Sequence, residues 1–420
     1  MKTDEVRTRS QDVYGIIEQN KEKIIELIDG IVLKDGMEIT SLELKEKKGL
    51  RKQCKFLSGE IGYKVRIAEL PEEQRKVRFF VKYFPHPKRN IPNMQLERQF
   101  YDLMRDSGAV PRAYKLEGLE DVLLLEHVGD SILETRLMGA RKKDKTEILR
   151  NSIDVLVSFE VHALETFPAV IDNPNILRWL SKIRRKPPYE SLERYLASFD
   201  SSEEYPEFQE DVEDGYLPVL EVMSKGGRRQ IIHGDAGAHN FCSGNGWEPK
   251  NIKIVDMAGL TIGSPFFDLA QMITSPAVGF GPKEWNYFIG YYAGKEMGCL
   301  GAEKEVRVFG IDLSRLLKTK ISLSEEAIRN ARTQFYAATI HHSFRRLAKM
   351  RYHREIDPEQ YESWLQSRPA LKDSEQEMKR NIQLALDYIC KKKSYFDFDS
   401  SDLKMLDGLR SAFERNGISN

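Results

Sequence analysis

The chain has 420 residues, with 65 Lys plus Arg and 65 Asp plus Glu, so its formal net charge is zero. This length allows two substantial lobes, and the neutral balance gives no support for a nucleic-acid-binding protein, which usually carries a basic excess. The sequence contains no apolar run of about 18 residues, the length that suggests a membrane span, and its start has no apolar signal-peptide core.

The four cysteines are widely spaced and form no C-x-x-C pair. This pattern predicts neither a zinc site nor a disulfide framework, and it is typical of a reducing compartment. We therefore expect a cytoplasmic protein, a monomer or a homodimer, with no membrane or nucleic-acid partner.

Apolar residues recur with helical spacing over residues 11–29, and residues 38–46 alternate as in a strand. Consecutive strands with tight links indicate an antiparallel meander. Three such strands and their two turns are predicted next: strands at about 52–58, Tyr63–Leu70 and Val77–Phe84, and turns at Ser58–Gly62 and Pro71–Lys76.

A helix is expected at about Gln95–Asp106, and strands at Ala113–Glu117 and Val122–Glu126. From Ser131 onward the periodicity is helical, apart from a hairpin around residues 241–256. The sequence thus predicts an α+β fold with a sheet-rich lobe followed by a mainly helical one.

The expected N-terminal lobe covers residues 1–128, of which about 1–50 form an extra segment. The expected C-terminal lobe covers residues 129–420.

Lys82 is a single lysine in the apolar run Val81–Phe84. A charged side chain there needs a partner or a function, unless it points to solvent. Kinases hold the nucleotide phosphates with such a lysine and pair it with a helix glutamate. Glu97, in the predicted helix, is the candidate partner, so the pair predicts a nucleotide site.

The segment Ile231–Ala270 carries the most informative pattern. It contains His-Gly-Asp at His233 to Asp235, then Asn240 five residues after that Asp, and Asp256 after a short apolar run. One carboxylate can accept a proton from a hydroxyl, while the amide and the second carboxylate offer hard oxygen ligands for Mg²⁺. This spacing is that of a kinase catalytic loop and metal-binding segment.

With Gly234 between the histidine and the aspartate, the loop resembles that of the aminoglycoside phosphotransferase and choline kinase superfamily, H-G-D-x-x-x-x-N. The later Gly263-Ser264-Pro265 and Asp268-Leu269-Ala270 look like that family's segment after the metal ligand. The resemblance extends over roughly residues 50–350. It implies a bilobal protein-kinase-like fold, ATP and Mg²⁺ as cofactors, and a small-molecule acceptor.

The resemblance also implies roles for residues of the second lobe. Asp235 is expected to be the catalytic base, and Asn240 and Asp256 the metal ligands. His233 and Asp268 are expected to support the loop structurally. These residues fall in a catalytic loop at residues 231–241 and a metal-binding segment at residues 252–268.

Two nucleotide contacts are expected in the first lobe. The predicted turn Ser58–Gly62 occupies the place of a phosphate-covering loop, so Ser58 and Gly59 are expected near phosphate, because glycine lets backbone N–H groups approach an anion. The end of the predicted strand Val122–Glu126 resembles the family's hinge, where backbone groups near Glu126 and Val128 would hold adenine.

The acceptor is expected to be small, because no protein-docking segment with an A-P-E ending follows Asp256. An amino alcohol, an aminoglycoside, a sugar or a related metabolite would each fit. His341-His342 with Arg345-Arg346 is either a site for an acidic or phosphorylated substrate or the solvated edge of a packing helix.

Three other functions remain open. His233, Asp235, His239 and Asp256 could be ligands of a two-metal phosphohydrolase. The chain could also be a non-catalytic kinase-like nucleotide-binding module, or an atypical protein kinase.

Overall fold

The structure is a computed structural model. It describes residues 12–29, 37–47, 55–65, 73–83, 87–115, 122–171, 206–225, 230–300, 325–356, 358–367 and 374–415. The chain divides into two compact units. The first contains residues up to Arg105 together with Val110–Gly129, and the second contains Asp106–Ala109 together with the chain from Asp130 onward.

The first unit is built on an antiparallel sheet with strand order β1-β2-β3-β5-β4. Helix α3 follows the third strand. The strands and this helix are β1 (Met37–Lys47), β2 (Lys55–Val65), β3 (Glu73–Tyr83), α3 (Pro87–Leu103), β4 (Ala113–Tyr114) and β5 (Val122–Glu126). The strand order makes β3 the central strand, so its inward side chains are enclosed by neighbours on both edges.

Two helices of the extra N-terminal segment pack on this sheet: α1 (residues 12–19) and α2 (Lys21–Asp29). Their apolar residues, including Ile17 and Ile24, are fully buried in one core with strand residues such as Val81. The helical period predicted for residues 11–29 thus produces one apolar face, which the sheet covers.

The turn predicted at Ser58–Gly62 is wrong, because these residues lie inside the continuous strand β2. Ser58 pairs with Lys45 of β1 and Phe80 of β3, so both of its edges are in the ladder. The contact with phosphate expected for Ser58 and Gly59 depended on a loop, and the structure removes that basis. Residues 66–72, which contain part of the next predicted strand and turn, lie outside the described residues.

Gly59 is required by packing rather than by a turn. A Cβ at this position would lie 2.2 Å from the ring of Phe79, which is fully buried. We expect Gly59→Ala to destabilise the protein by about 1–3 kcal/mol, as overpacking of a core usually does. Urea unfolding measures this change.

Gly15→Ala in α1 is the matched control, because a Cβ there meets no atom within 4 Å. Alanine should stabilise that helix by up to about 1 kcal/mol. Equal effects of the two substitutions would contradict the packing explanation for Gly59.

The second unit is mainly helical over its described residues. The helices are α4 (Leu133–Met138), α5 (Lys142–Ile171), α6 (Pro206–Lys225), α7 (Pro265–Ile273), α8 (Pro282–Leu300), α9 (Glu325–Ile356), α10 (Pro358–Ser367), α11 (Ser374–Lys391) and α12 (Ser400–Arg415).

Short antiparallel strands of this unit carry the candidate catalytic segments. They are β6 (Ser131–Ile132), β7 (Gln230–Ile232), β8 (Phe241–Ser243), β9 (Ile252–Ile254) and β10 (Thr261–Gly263). The hairpin of β8 and β9 was expected, whereas the pairings of β6 with β8 and of β7 with β10 were not. Strands of two or three residues are too short to show an alternating pattern in sequence.

The predicted α+β fold, a small antiparallel sheet followed by a mainly helical part, is confirmed. Among the helices that the structure describes, none is both long enough and apolar enough to span a bilayer.

Candidate active site

The loop after β7 is held by the carboxylate of Asp268, near the start of α7. The backbone N–H groups of His233 and Gly234 donate to its two oxygens at 2.6 and 2.9 Å. Asp268 is fully buried, and burial raises its pKa to about 7 although these donors oppose the shift. The carboxylate thereby satisfies loop donors that have no strand partner.

The His233 ring connects this loop to the segment that contains Asp256. Its Nε2 lies 3.0 Å from the Val255 carbonyl, to which it donates, and its Nδ1 accepts from the backbone N–H of Asp235 at 3.3 Å. The ring is fully buried, and this burial lowers its pKa, so the imidazole is neutral.

The loop also requires a glycine at position 234. Gly234 has φ +73°, and a Cβ there would lie 2.3 Å from the carbonyl oxygen of Gly259. The Gly234 carbonyl accepts a hydrogen bond of 3.1 Å from the buried Gln271. Sequence reasoning missed Gln271, although its position three residues after Asp268 puts both side chains on one face of α7.

Asp235 lies on the solvent side of the loop, with its side chain 31% exposed and its Oδ2 3.8 Å from Nε2 of His239. Burial raises the pKa of this carboxyl, but the nearby imidazole of His239 lowers it. The positive charges of Lys349 and Arg346 act in the same direction, and the net pKa lies well below its usual value. Asp235 is therefore ionised at neutral pH.

Asn240 and Asp256 are brought together by the hairpin of β8 and β9. The Val255 N–H donates to the Asn240 carbonyl at 2.9 Å, and the next pair is Phe241 with Ile254. Asn240 immediately precedes β8, and Asp256 is two residues beyond β9, so both leave the hairpin at the same end.

This end of the hairpin fits a magnesium ion. Nδ2 of Asn240 donates to the Asp235 carbonyl at 2.7 Å, so the amide oxygen is the atom of this side chain that could bind a metal together with the Asp256 carboxylate. Mg²⁺ is commonly held by one or two carboxylates together with phosphates and water. Among the described residues, no group of three or more His, Cys, Asp or Glu side chains could hold a metal ion.

Asp256 adopts a left-handed conformation, with φ 65° and ψ 61°, and within the described ranges it is the non-glycine residue with positive φ. Such a conformation costs an L-residue about 1–2 kcal/mol. Strain of this kind is concentrated at functional sites.

In the first unit, Lys82 and Glu97 form a buried ion pair. Lys82 lies in β3 between Phe56 of β2 and Leu123 of β5, and its Nζ is 2.8 Å from both carboxylate oxygens of Glu97. The side chains are only 4% and 3% exposed. The structure thus brings the two residues together as the sequence predicted.

We expect Lys82→Met or Glu97→Met alone to destabilise the protein by about 3–5 kcal/mol, because each leaves a buried charge without its partner. The double variant should recover most of this loss, since a buried pair replaced by apolar side chains of similar size is often neutral. The urea midpoints of the three variants measure the coupling.

Lys76→Met is the matched control on the same strand. Lys76 pairs with Glu60 at 2.6 Å but is 67% exposed, so its loss should cost less than about 1 kcal/mol. If Lys82→Met costs no more than Lys76→Met, the loss of its partner does not leave Glu97 as an uncompensated buried charge.

The two expected hinge residues lie at the end of the sheet. Glu126 is the last residue of β5, and its backbone N–H donates to the Arg112 carbonyl at 2.9 Å. Val128 follows the strand and is half-buried. Between them His127 stacks on Phe80, with ring centroids 4.7 Å apart, which fixes the direction of the chain after β5.

A small cavity in the second unit opens beside Asp235, and His342 and Arg346 of α9 line it. His341 and His342 are not part of a solvated edge. Burial lowers the pKa of His341 to about 3 and that of His342 well below its usual value. Of the basic cluster on α9, which the sequence left undecided, His342 and Arg346 thus reach the cavity beside Asp235, whereas Arg345 is exposed.

Residues 56–297 match the phosphotransferase enzyme family (APH), whereas no curated protein matches the chain. One similar solved structure is the choline kinase LicA from Streptococcus pneumoniae, with 14% identity, a TM-score of 0.42, and coverage of 85% of this chain and 99% of that chain. Another is a choline/ethanolamine kinase family protein from Mesorhizobium loti, with 9% identity, a TM-score of 0.43, and coverage of 93% and 99%.

The GDP complex of wild-type aminoglycoside 2'-phosphotransferase-IIIa is similar at 14% identity and a TM-score of 0.43, with 86% of this chain and 99% of that chain covered. Structural similarity at this level says nothing about the acceptor. The family match, however, spans more than half of the chain. The chain therefore belongs to the phosphotransferase enzyme family, as the H-G-D-x-x-x-x-N resemblance predicted.

Proposed function

We propose that the protein is an ATP-dependent kinase that transfers the γ-phosphate to a hydroxyl group of a small molecule. The observation that carries this proposal is the arrangement of the second unit. An ionised, accessible Asp235 lies beside a cavity, and Asn240 and Asp256 leave one hairpin at the same end. This arrangement supplies a base and hard oxygen ligands in one segment of chain.

Asp235 is proposed to orient the acceptor hydroxyl and to take its proton. The hydroxyl oxygen forms a bond to the γ-phosphorus, and the bond between this phosphorus and the bridging oxygen of ADP breaks. ADP leaves with the electron pair of that bond. The low pKa of Asp235 suits a group that positions the hydroxyl and accepts its proton late in the step.

Asn240 and Asp256 are proposed to hold Mg²⁺, which when bound would offset the negative charge of the nucleotide phosphates. His233 and Asp268 would keep these groups in place. His233 connects the loop to Val255, next to Asp256, and Asp268 binds the two backbone N–H groups that precede Asp235.

The first unit is proposed to bind ATP. Lys82 would contact the phosphates, since the Glu97 carboxylate holds its ammonium group in one position. Backbone groups at Glu126 and Val128 would hold the adenine.

The test is ADP release from Mg-ATP with amino alcohols, aminoglycosides, sugars and hydroxylated acids, followed by detection of the phosphorylated product. We expect turnover with at least one acceptor class. Nucleotide binding without turnover in any class would contradict the proposal and favour a non-catalytic module. Phosphate release from phosphoesters with Mn²⁺ or Zn²⁺ and no nucleotide would instead favour the phosphohydrolase.

A further inference from the structure

One face of α9 contributes two side chains to the cavity beside Asp235. His342 and Arg346 of this helix line it, together with Glu134 of α4 and Met378 of α11. His342, Arg346 and Lys349 are spaced four and three residues apart, so they lie on the same side of the helix. An acceptor in this cavity would therefore lie next to His342 and Arg346.

The accessible charge on that face is positive. Arg346 is partly exposed and Lys349 is exposed, and both act electrostatically on the Asp235 carboxylate. His342 carries no charge, because burial and then the charges of Arg346 and Arg345 lower its pKa.

The opposing carboxylates are less accessible to a ligand. Glu134 is 6% exposed, and Asp235 is the group that would contact the acceptor hydroxyl. Among the described residues that line the cavity, a cationic acceptor would therefore meet the charge of Arg346 with no accessible carboxylate other than Asp235 to bind it. An anionic group would instead meet a guanidinium, whose planar fork matches the two oxygens of a carboxylate or phosphate.

We propose that the acceptor carries an anionic group, a carboxylate or a phosphate, and that Arg346 binds this group while the acceptor hydroxyl lies at Asp235. The inference rests on the proposed kinase function and specifies its substrate class. The transfer step is the one given above, and the anionic group takes no part in bond making or breaking.

The experiment compares three acceptor panels with Mg-ATP: hydroxy acids and phosphorylated sugars or alcohols, neutral sugars, and cationic amino alcohols with aminoglycosides. We expect turnover in the anionic panel. Within it, hydroxy acids and phosphorylated compounds distinguish a carboxylate from a phosphate ligand.

Arg346→Gln should raise KM for the anionic acceptor by about 10- to 100-fold with little change in kcat, the effect expected for loss of a charge-assisted hydrogen bond. Arg346→Lys should recover part of the affinity, because the charge is kept and the fork is lost. Arg345→Gln is the matched control, since this neighbouring guanidinium is exposed and lies 6.0 Å from the Phe267 ring centroid.

Turnover confined to neutral or cationic acceptors would overturn the inference and leave the kinase function intact. So would an unchanged KM in Arg346→Gln. Thermal shifts with the anionic panel in the absence of nucleotide show whether the kinase proposal itself has failed. Binding that depends on Arg346 without any transfer would support the anionic site and overturn the kinase proposal.

Discussion

Replacing Asp235 by asparagine is expected to lower kcat for phosphoryl transfer by about 100- to 10,000-fold, the usual contribution of a positioned base. Asparagine has the same size but cannot take the proton of the acceptor hydroxyl. The fold should tolerate the change, because the Asp235 side chain is 31% exposed. The loop is held by bonds from the backbone N–H groups of His233 and Gly234 to Asp268, and these bonds do not involve the Asp235 side chain.

Single-turnover kinetics with Mg-ATP and an active acceptor measure this loss, and nucleotide affinity is measured in parallel. Nucleotide affinity should stay within a few-fold of the wild-type value. Asp144→Asn is the matched control, since this carboxylate pairs with Arg141 at the surface start of α5, so its removal should leave kcat unchanged. A normal kcat for Asp235→Asn would remove Asp235 from its proposed role.

The second unit's candidate site could be located from sequence because its parts are local. His233, Asp235 and Asn240 lie within eight residues of one another, and loops of this kind are shaped by hydrogen bonds between close neighbours. Lys82 was recognisable for another reason. A single charge in a short apolar run requires a partner, and the next helix offers Glu97.

Features that depend on distant packing could not be predicted. The glycines of β2 resemble a turn in sequence, but position 59 needs a glycine because the Phe79 ring of the paired strand leaves no room for a Cβ. Arg346 is far from Asp235 in the chain and reaches the same cavity only through the path of α9. A basic cluster on a helix reads as solvated surface until the neighbouring elements are placed.

Replacing Asp256 by glycine should abolish the stabilisation that Mg-ATP gives the protein, because the proposed carboxylate ligand is lost. A ligand at about 100 times its Kd stabilises a protein by about 2.7 kcal/mol, so the wild-type shift is readily measured. Transfer should fall by about 1,000-fold or more, since charge neutralisation by a metal is worth several kcal/mol in the transition state.

The backbone of Asp256 allows the metal role to be separated from the fold. With φ 65° and ψ 61°, an alanine keeps the strain of an L-residue, whereas glycine adopts this conformation freely. Unliganded Asp256→Gly should therefore be more stable than Asp256→Ala by about 1 kcal/mol, while both lose the response to Mg-ATP. If Asp256→Gly retains a wild-type thermal shift with Mg-ATP, the carboxylate does not bind the metal, and the strained backbone needs another explanation.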